Sequence, residues 1–170
     1  GNNFYDITFY PIYVQGNSIN NTAFNNSADG GEDGIRIEQN SNNNNFISNF
    51  VNNSQRGVYM DLSNNNIFIG NSFENSANRG IEISSSSNNK FIDSMIVSLG
   101  EYDIRSSGSS ITHNTLLLNS SFNKSKVAVY GASSLTVQWY LDVNVADANG
   151  ALQGVNVTAW NKTLLEPRAF

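Results

Sequence analysis

The chain has 170 residues with no cysteine, one histidine and a net charge of −5, which excludes disulfide scaffolds, thiol enzymes and cysteine-ligated zinc modules. Nine scattered basic residues do not build a nucleic-acid surface or a basic membrane-binding helix, and no apolar run of about 18 residues is present to cross a bilayer. Charged residues make up only 14%, while 30 Asn and 23 Ser bias the chain toward turns and side-chain hydrogen bonding rather than helix interiors.

The opening residues Gly1-Asn2-Asn3-Phe4 carry neither a starting Met nor the charged and apolar parts of a signal peptide, so the chain reads as an excerpt of a longer one. A repeat follows. Gly34-Ile35-Arg36-Ile37, Gly57-Val58-Tyr59-Met60 and Gly80-Ile81-Glu82-Ile83 recur in steps of 23 residues. The same step reaches back to Pro11-Ile12-Tyr13-Val14 and forward to Asp103-Ile104-Arg105-Ser106 and Lys126-Val127-Ala128-Val129. A second apolar pair, spaced by five, follows each of the first five anchors: Ile19 and Phe24, Phe46 and Val51, Phe68 and Phe73, Phe91 and Ile96, Ile111 and Leu116.

These runs alternate apolar and polar for three or four residues and break at Asn, Ser or Gly, a strand pattern rather than a helical one. Two or three short strands per 23 residues close one coil, and successive coils pair in parallel at about 4.8 Å. The expectation is an all-β, right-handed parallel β-helix over residues 1–133. Its inner column is Ile12, Ile35, Val58, Ile81, Ile104 and Val127, backed by Val14, Ile37, Met60, Ile83 and Val129. Polar columns are expected at Thr22, Asn49, Asn71, Ser94 and Asn114, and at Asn26, Asn53, Asn75 and Ser98. The runs Asn42 to Asn45 and Asn64 to Asn66 read as solvated loops.

After Ala132-Ser133-Ser134 the alternation changes. Leu135 to Val145 reads as a strand, Asp147-Ala148-Asn149-Gly150 as a turn, and Gly154 to Trp160 as a second strand. Residues 134–170 therefore look like a β-hairpin or the start of an incomplete β-sandwich, since so short a segment does not supply the roughly seven strands of a whole one.

The segment Phe68-Ile69-Gly70-Asn71-Ser72-Phe73-Glu74-Asn75, with Gly80-Ile81-Glu82-Ile83-Ser84 and the Ser/Asn run to Asn89, resembles the repeats of the NosD-type parallel β-helix family and the wider group of carbohydrate-binding proteins and sugar hydrolases. The last segment resembles the first strands of the immunoglobulin-like or carboxypeptidase-regulatory-like sandwiches that follow β-helices in archaeal and bacterial surface proteins. The resemblance implies a fold shared by lyases, hydrolases, adhesins and surface-layer proteins. Copper binding, which the NosD name implies, does not carry over: His113, Met60 and Met95 are the only imidazole or thioether groups, and each reads as a packing or turn residue.

Chemistry is sought on the outward face of the anchor strand. Tyr13, Arg36, Tyr59, Glu82 and Arg105 form one column, readable as cross-strand pairs or as a sugar-binding face. Glu38 and Asp61, one coil apart, match the spacing of about 5 Å of a retaining glycosidase, although Ser84 replaces any third acid. No catalytic residue is assigned beyond that alternative. The insert Asp29-Gly30-Gly31-Glu32-Asp33 reads as a solvated loop, with Ca²⁺ binding through Asp29, Glu32 and Asp33 as the alternative; no other cofactor is expected.

Glycosylation sequons begin at Asn20, Asn25, Asn52, Asn119, Asn123, Asn156 and Asn161, with Asn25 and Asn52 expected in one column. The reading is a structural or adhesive extracellular or cell-surface protein carrying N-linked glycans and meeting further copies or neighbouring subunits. The alternative is a polysaccharide-binding or polysaccharide-degrading β-helix. No nucleic acid and no membrane insertion of this segment are expected.

Overall fold

The computed structural model describes residues 1–140, 146–147 and 150–151, and the chain divides into two compact units, Gly1–Trp139 and Tyr140–Phe170. In the first unit the anchor strands stack in the expected register: Ile12 on Ile35, Ile35 on Val58, Val58 on Ile81, Ile81 on Ile104 and Ile104 on Val127, all parallel. The chain therefore winds as a parallel β-solenoid with coils of about 23 residues.

Three strand faces make each complete coil. Face one contains Ile12–Val14, Asp33–Ile37, Arg56–Asp61, Arg79–Ser84 and the first parts of Tyr102–Leu118 and Val127–Gln138. Face two contains Thr22–Phe24, Asn45–Ile47, Ile67–Ile69, Asn89–Ile92 and the last parts of the same two long strands, which join faces one and two into a ten-stranded sheet. Face three is a sheet of five: Asn3–Ile7, Ser27–Gly30, Phe50–Asn52, Ser72–Ser76 and Met95–Ser98.

The core is a set of vertical apolar columns. Phe46, Phe68 and Phe91 stack face to face, with centroids 4.7 and 4.4 Å apart, and Phe73 meets Phe68 edge-on at 6.2 Å. Burying each large side chain contributes about 1.5–3 kcal/mol. In the three anchors that begin with glycine, the stacking leaves no room for a side chain: a Cβ at Gly57 would lie 2.5 Å from the Gly80 carbonyl oxygen, and one at Gly80 would lie 2.6 Å from that of Asp103.

The apolar pairs of the three middle coils are as expected, but the end coils differ. Ala23 and Ala28 lie in register with Phe46 and Val51, while Ile19 and Phe24 point to solvent at 55% and 59% exposure. At the other end Leu117, not Leu116, sits on Phe91, and Phe122 packs against the core; the side chain of Ile111 lies outside the described residues.

The amide ladders also differ from the expected columns. One runs through Asn26, Asn49, Asn71, Ser94 and Ser120, and the other through Asn21, Asn44, Asn66 and Asn89. Thr22 and Asn114 are outside both. Within a ladder, the Asn49 Oδ1 accepts the Asn26 backbone N–H and the Asn26 Nδ2, each at 3.0 Å, and the Asn49 Nδ2 donates to Ala23 O and to Asn71 Oδ1. Asn44 and Asn66, expected in solvated loops, are fully buried.

The residue before every ladder member turns the corner in the left-handed region: Asn20, Asn43, Asn65 and Asn88 before one ladder, Asn25, Ser48, Gly70, Asp93 and Asn119 before the other. Asn and Asp tolerate that conformation better than other side chains, and Gly adopts it freely.

The solenoid also continues past the expected boundary at residue 133. Leu135, Thr136, Val137 and Gln138 pair in parallel with Thr115, Leu116, Leu117 and Leu118, so the start of the strand expected over Leu135 to Val145 belongs to the last coil, and residues 141–145 lie outside the described residues. In the second unit, Ala146–Asp147 pairs antiparallel with Gly150–Ala151, a hairpin at the expected turn. The strand Gly154 to Trp160, and with it the expected sandwich, lies outside the described residues.

Candidate binding face

The outward column of face one has the register read from sequence: Tyr13 beside Arg36, then Tyr59, Glu82 and Arg105. A second column beside it, Asp33, Arg56, Arg79 and Tyr102, escaped the sequence reading. It repeats at the same 23-residue step, and shifting the anchor two residues upstream from Ile35, Val58, Ile81 and Ile104 would have found it.

Together the two columns form one ionic network. Arg36 bridges Asp33 at 2.8 Å and Glu38 at 2.7 Å. Arg56 contacts Asp33, Glu32 at 3.1 Å and Glu82 at 3.3 Å. Glu82 also receives Arg79 at 2.5 Å and Arg105 at 2.6 Å. Aromatic rings fill the spaces between the cations: the Arg36 guanidinium lies 4.6 Å from the Tyr10 centroid and 4.7 Å from that of Tyr59, and Arg56 lies 4.4 Å from Tyr59. Tyr10, not the expected Tyr13, is the second ring against Arg36; Tyr13 donates its hydroxyl to Glu38 instead.

Burial and charge set the protonation states. Burial pushes the Asp33 carboxyl up against the pull of Arg56 and Arg36. For Glu82, burial is outweighed by Arg79, Arg56 and Arg105, and its pKa lies below the ordinary carboxylate value. Burial of Glu38 is likewise outweighed, by Tyr13 and Arg36.

This bears directly on the glycosidase alternative, in which one of two facing carboxyls must be a protonated acid. Glu38 is held ionised with its oxygens engaged by Tyr13 and Arg36, a state unsuited to a general acid.

The acidic insert is no solvated loop. Asp29 and Gly30 end a strand of face three, Asp33 starts one of face one, and its side chain is fully buried. Its three carboxylates are each engaged by other side chains: Asp29 accepts from Asn52 and Asn53, Glu32 from Tyr10 and Arg56, and Asp33 from Arg36 and Arg56. Among the described residues, no three His, Cys, Asp or Glu side chains are grouped to hold a metal ion. Met60 is a core residue, Met95 is 38% exposed rather than packed, and His113 is a buried strand residue whose Nδ1 lies 3.1 Å from Ser87 Oγ.

An open depression of about 380 Å³ lies at the end of face one, lined by Ser84, Ser85, Ser107, Gly108, Tyr130 and Gly131. Of the sequon asparagines, Asn20, Asn25 and Asn119 are exposed left-handed corner residues. Asn52 is half-buried between Asp29 and Asn75, in register with Asp29 rather than Asn25, and Asn123 caps the short helix Lys124–Lys126. Asn156 and Asn161 lie outside the described residues.

Among the described residues, no helix is long and apolar enough to cross a membrane. The family model described as right handed beta helix region matches residues 1–139, and the chain belongs to that family. No curated protein and no solved structure matches it.

Proposed function

We propose that this right-handed β-helix protein is a structural or adhesive component of an extracellular surface assembly, such as a surface layer, sheath or filament, carrying N-linked glycans on corner asparagines. One observation carries the reading: the outward face best furnished with chemistry spends it internally. All four arginines among the described residues are bound by Asp33, Glu32, Glu38 and Glu82. What such a network can do is tie neighbouring coils together. The exposed corner positions of Asn20, Asn25 and Asn119 support glycan attachment at those sites.

The polysaccharide reading has one specific observation in its favour, the depression beside Tyr130, whose ring is 47% exposed next to the hydroxyls of Ser84 and Ser107. One experiment separates the two. The chain is incubated with neutral and acidic polysaccharides while new reducing ends and retained ligand are measured, alongside Glu38→Gln and Asp61→Asn. Neither turnover nor binding is expected. Turnover that disappears in those variants overturns the structural reading. In protein recovered from its own host, glycopeptide mass spectrometry should find Asn20, Asn25 and Asn119 occupied ahead of Asn52.

A further inference from the structure

Face two presents a surface unlike the other two. Its outward column is Phe24, Ile47, Ile69, Ile92 and Leu118, one residue from each of five successive coils, and ends on the exposed Gln138 of the sixth strand. Phe24 is 59% and Ile69 37% exposed, and the other three are half-buried by one another. The neighbouring outward column adds Ile67 and Leu116 and contains the only charge in the strands of this face, Lys90.

Face one holds the ionic network. Face three breaks its exposed apolar residues with polar ones: Phe50 lies between Ser27 and Ser72, and Val97 lies in register with Glu74. A chain of net charge −5 repels its own copies wherever its acids lie, and the strands of face two hold none.

We infer that face two is the surface by which two copies of this chain associate, each laying its aliphatic column against the other's in an isologous sheet-on-sheet contact. This deepens the structural reading above and rests on it. The 4.8 Å coil repeat is common to both partners, so side chains of the two columns interdigitate without drifting out of step. Six strands span about 24 Å along the axis and, with the corner residues at each side, about 16 Å across, which is on the order of 400 Å² per copy. That is about half of a standard interface, so the contact is weak and concentration-dependent when a single pair forms. A twofold axis through the middle of the column brings Ile69 against its own copy.

Sedimentation velocity on the full chain, from about 1 µM to about 1 mM, should show a reversible dimer at the upper end that salt does not dissolve. Ile69→Lys, checked for its fold by circular dichroism, should remove the dimer, and Val97→Lys on face three should keep it. Because the chain has no cysteine, Ile69→Cys should give a disulfide-linked dimer on oxidation and Val97→Cys should not. A chain that stays monomeric at about 1 mM, or a dimer that survives Ile69→Lys and cross-links through Val97→Cys, overturns the inference. Association through another face leaves the structural reading standing; polysaccharide cleavage by a chain that still pairs through face two overturns that reading and spares this one.

Discussion

Replacing Asn49 by Ala tests the claim that amide ladders, and not only apolar columns, hold the coils together. Asn49 is 1% exposed, and its side chain makes four hydrogen bonds. Alanine leaves the buried Asn26 N–H without its partner and removes the bonds of the Asn49 amide to Asn26 Nδ2, Ala23 O and Asn71 Oδ1, whereas Asn71 Oδ1 still accepts the backbone N–H of residue 49. One stranded buried donor at about 1–2 kcal/mol, plus two lost amide–amide bonds at about 1 kcal/mol each, give a destabilisation of about 3–4 kcal/mol. For a solenoid of this size that lowers Tm by roughly 10 °C, read by far-UV circular dichroism. Asn49→Ser, which keeps an acceptor as Ser94 and Ser120 do in the same ladder, should lose less than half as much. Asn43→Ala, at an exposed left-handed corner, should cost only about 1 kcal/mol. If Asn49→Ala is no worse than Asn43→Ala, the ladder is ornament and the stacking argument fails.

Ser106 occupies the inner position held by Ile83 one coil earlier and Val129 one coil later, and its buried Oγ has no hydrogen-bond partner in the protein. Ser106→Val should raise stability by about 1–2 kcal/mol in urea unfolding. Glu82 anchors three arginines, so Glu82→Gln should cost about 2–4 kcal/mol at pH 7. The pKa of Glu82 is lower in the folded chain than in the unfolded one, so its contribution is present above the ordinary carboxylate value of about 4.3 and is lost as pH falls through the folded value. Asp33, raised by burial, acts in the opposite sense and favours folding as pH falls. Measured as Tm against pH, the loss below about pH 4 should shrink in Glu82→Gln, and the gain on acidification that Asp33 supplies above about pH 4 should vanish in Asp33→Asn.

The period was legible because Gly-Ile-x-Ile repeats without drift, and the period alone dictates which residues stack. Errors arose where side-chain size was allowed to override it. Ile19 and Phe24 looked like the core pair of the first coil, yet a strict step of 23 back from Phe46 and Val51 lands on Ala23 and Ala28, which are the residues in register. The ladders were misread for a related reason: in Asn-Asn dipeptides one amide turns the exposed corner and the next is buried, and composition does not distinguish them. Leu135 to Gln138 alternates like any strand, and only its partner, the 115–118 segment, assigns it to the solenoid. The Asp33, Arg56, Arg79 and Tyr102 column lies just before each anchor, where no shared residue type marks the repeat.

The division of labour among the three faces follows from how the coil is closed. Hydrogen bonding at the corners is done by buried Asn and Ser, and packing is done by the inward columns, so neither constrains which side chains face outward. Face one has gathered its arginines and acids into a net that closes on itself, and Arg56 is its hub, touching Glu32, Asp33, Glu82 and the Tyr59 ring. A hub of this kind is expressed as stability and not as affinity. Arg56→Met should therefore leave a buried Asp33 with one guanidinium instead of two and cost about 2–3 kcal/mol, with the loss shared by the coils on both sides. If instead the variant unfolds like the parent chain while a bound polysaccharide or a second copy is lost, face one is a recognition surface, and the assignment of association to face two must be reversed.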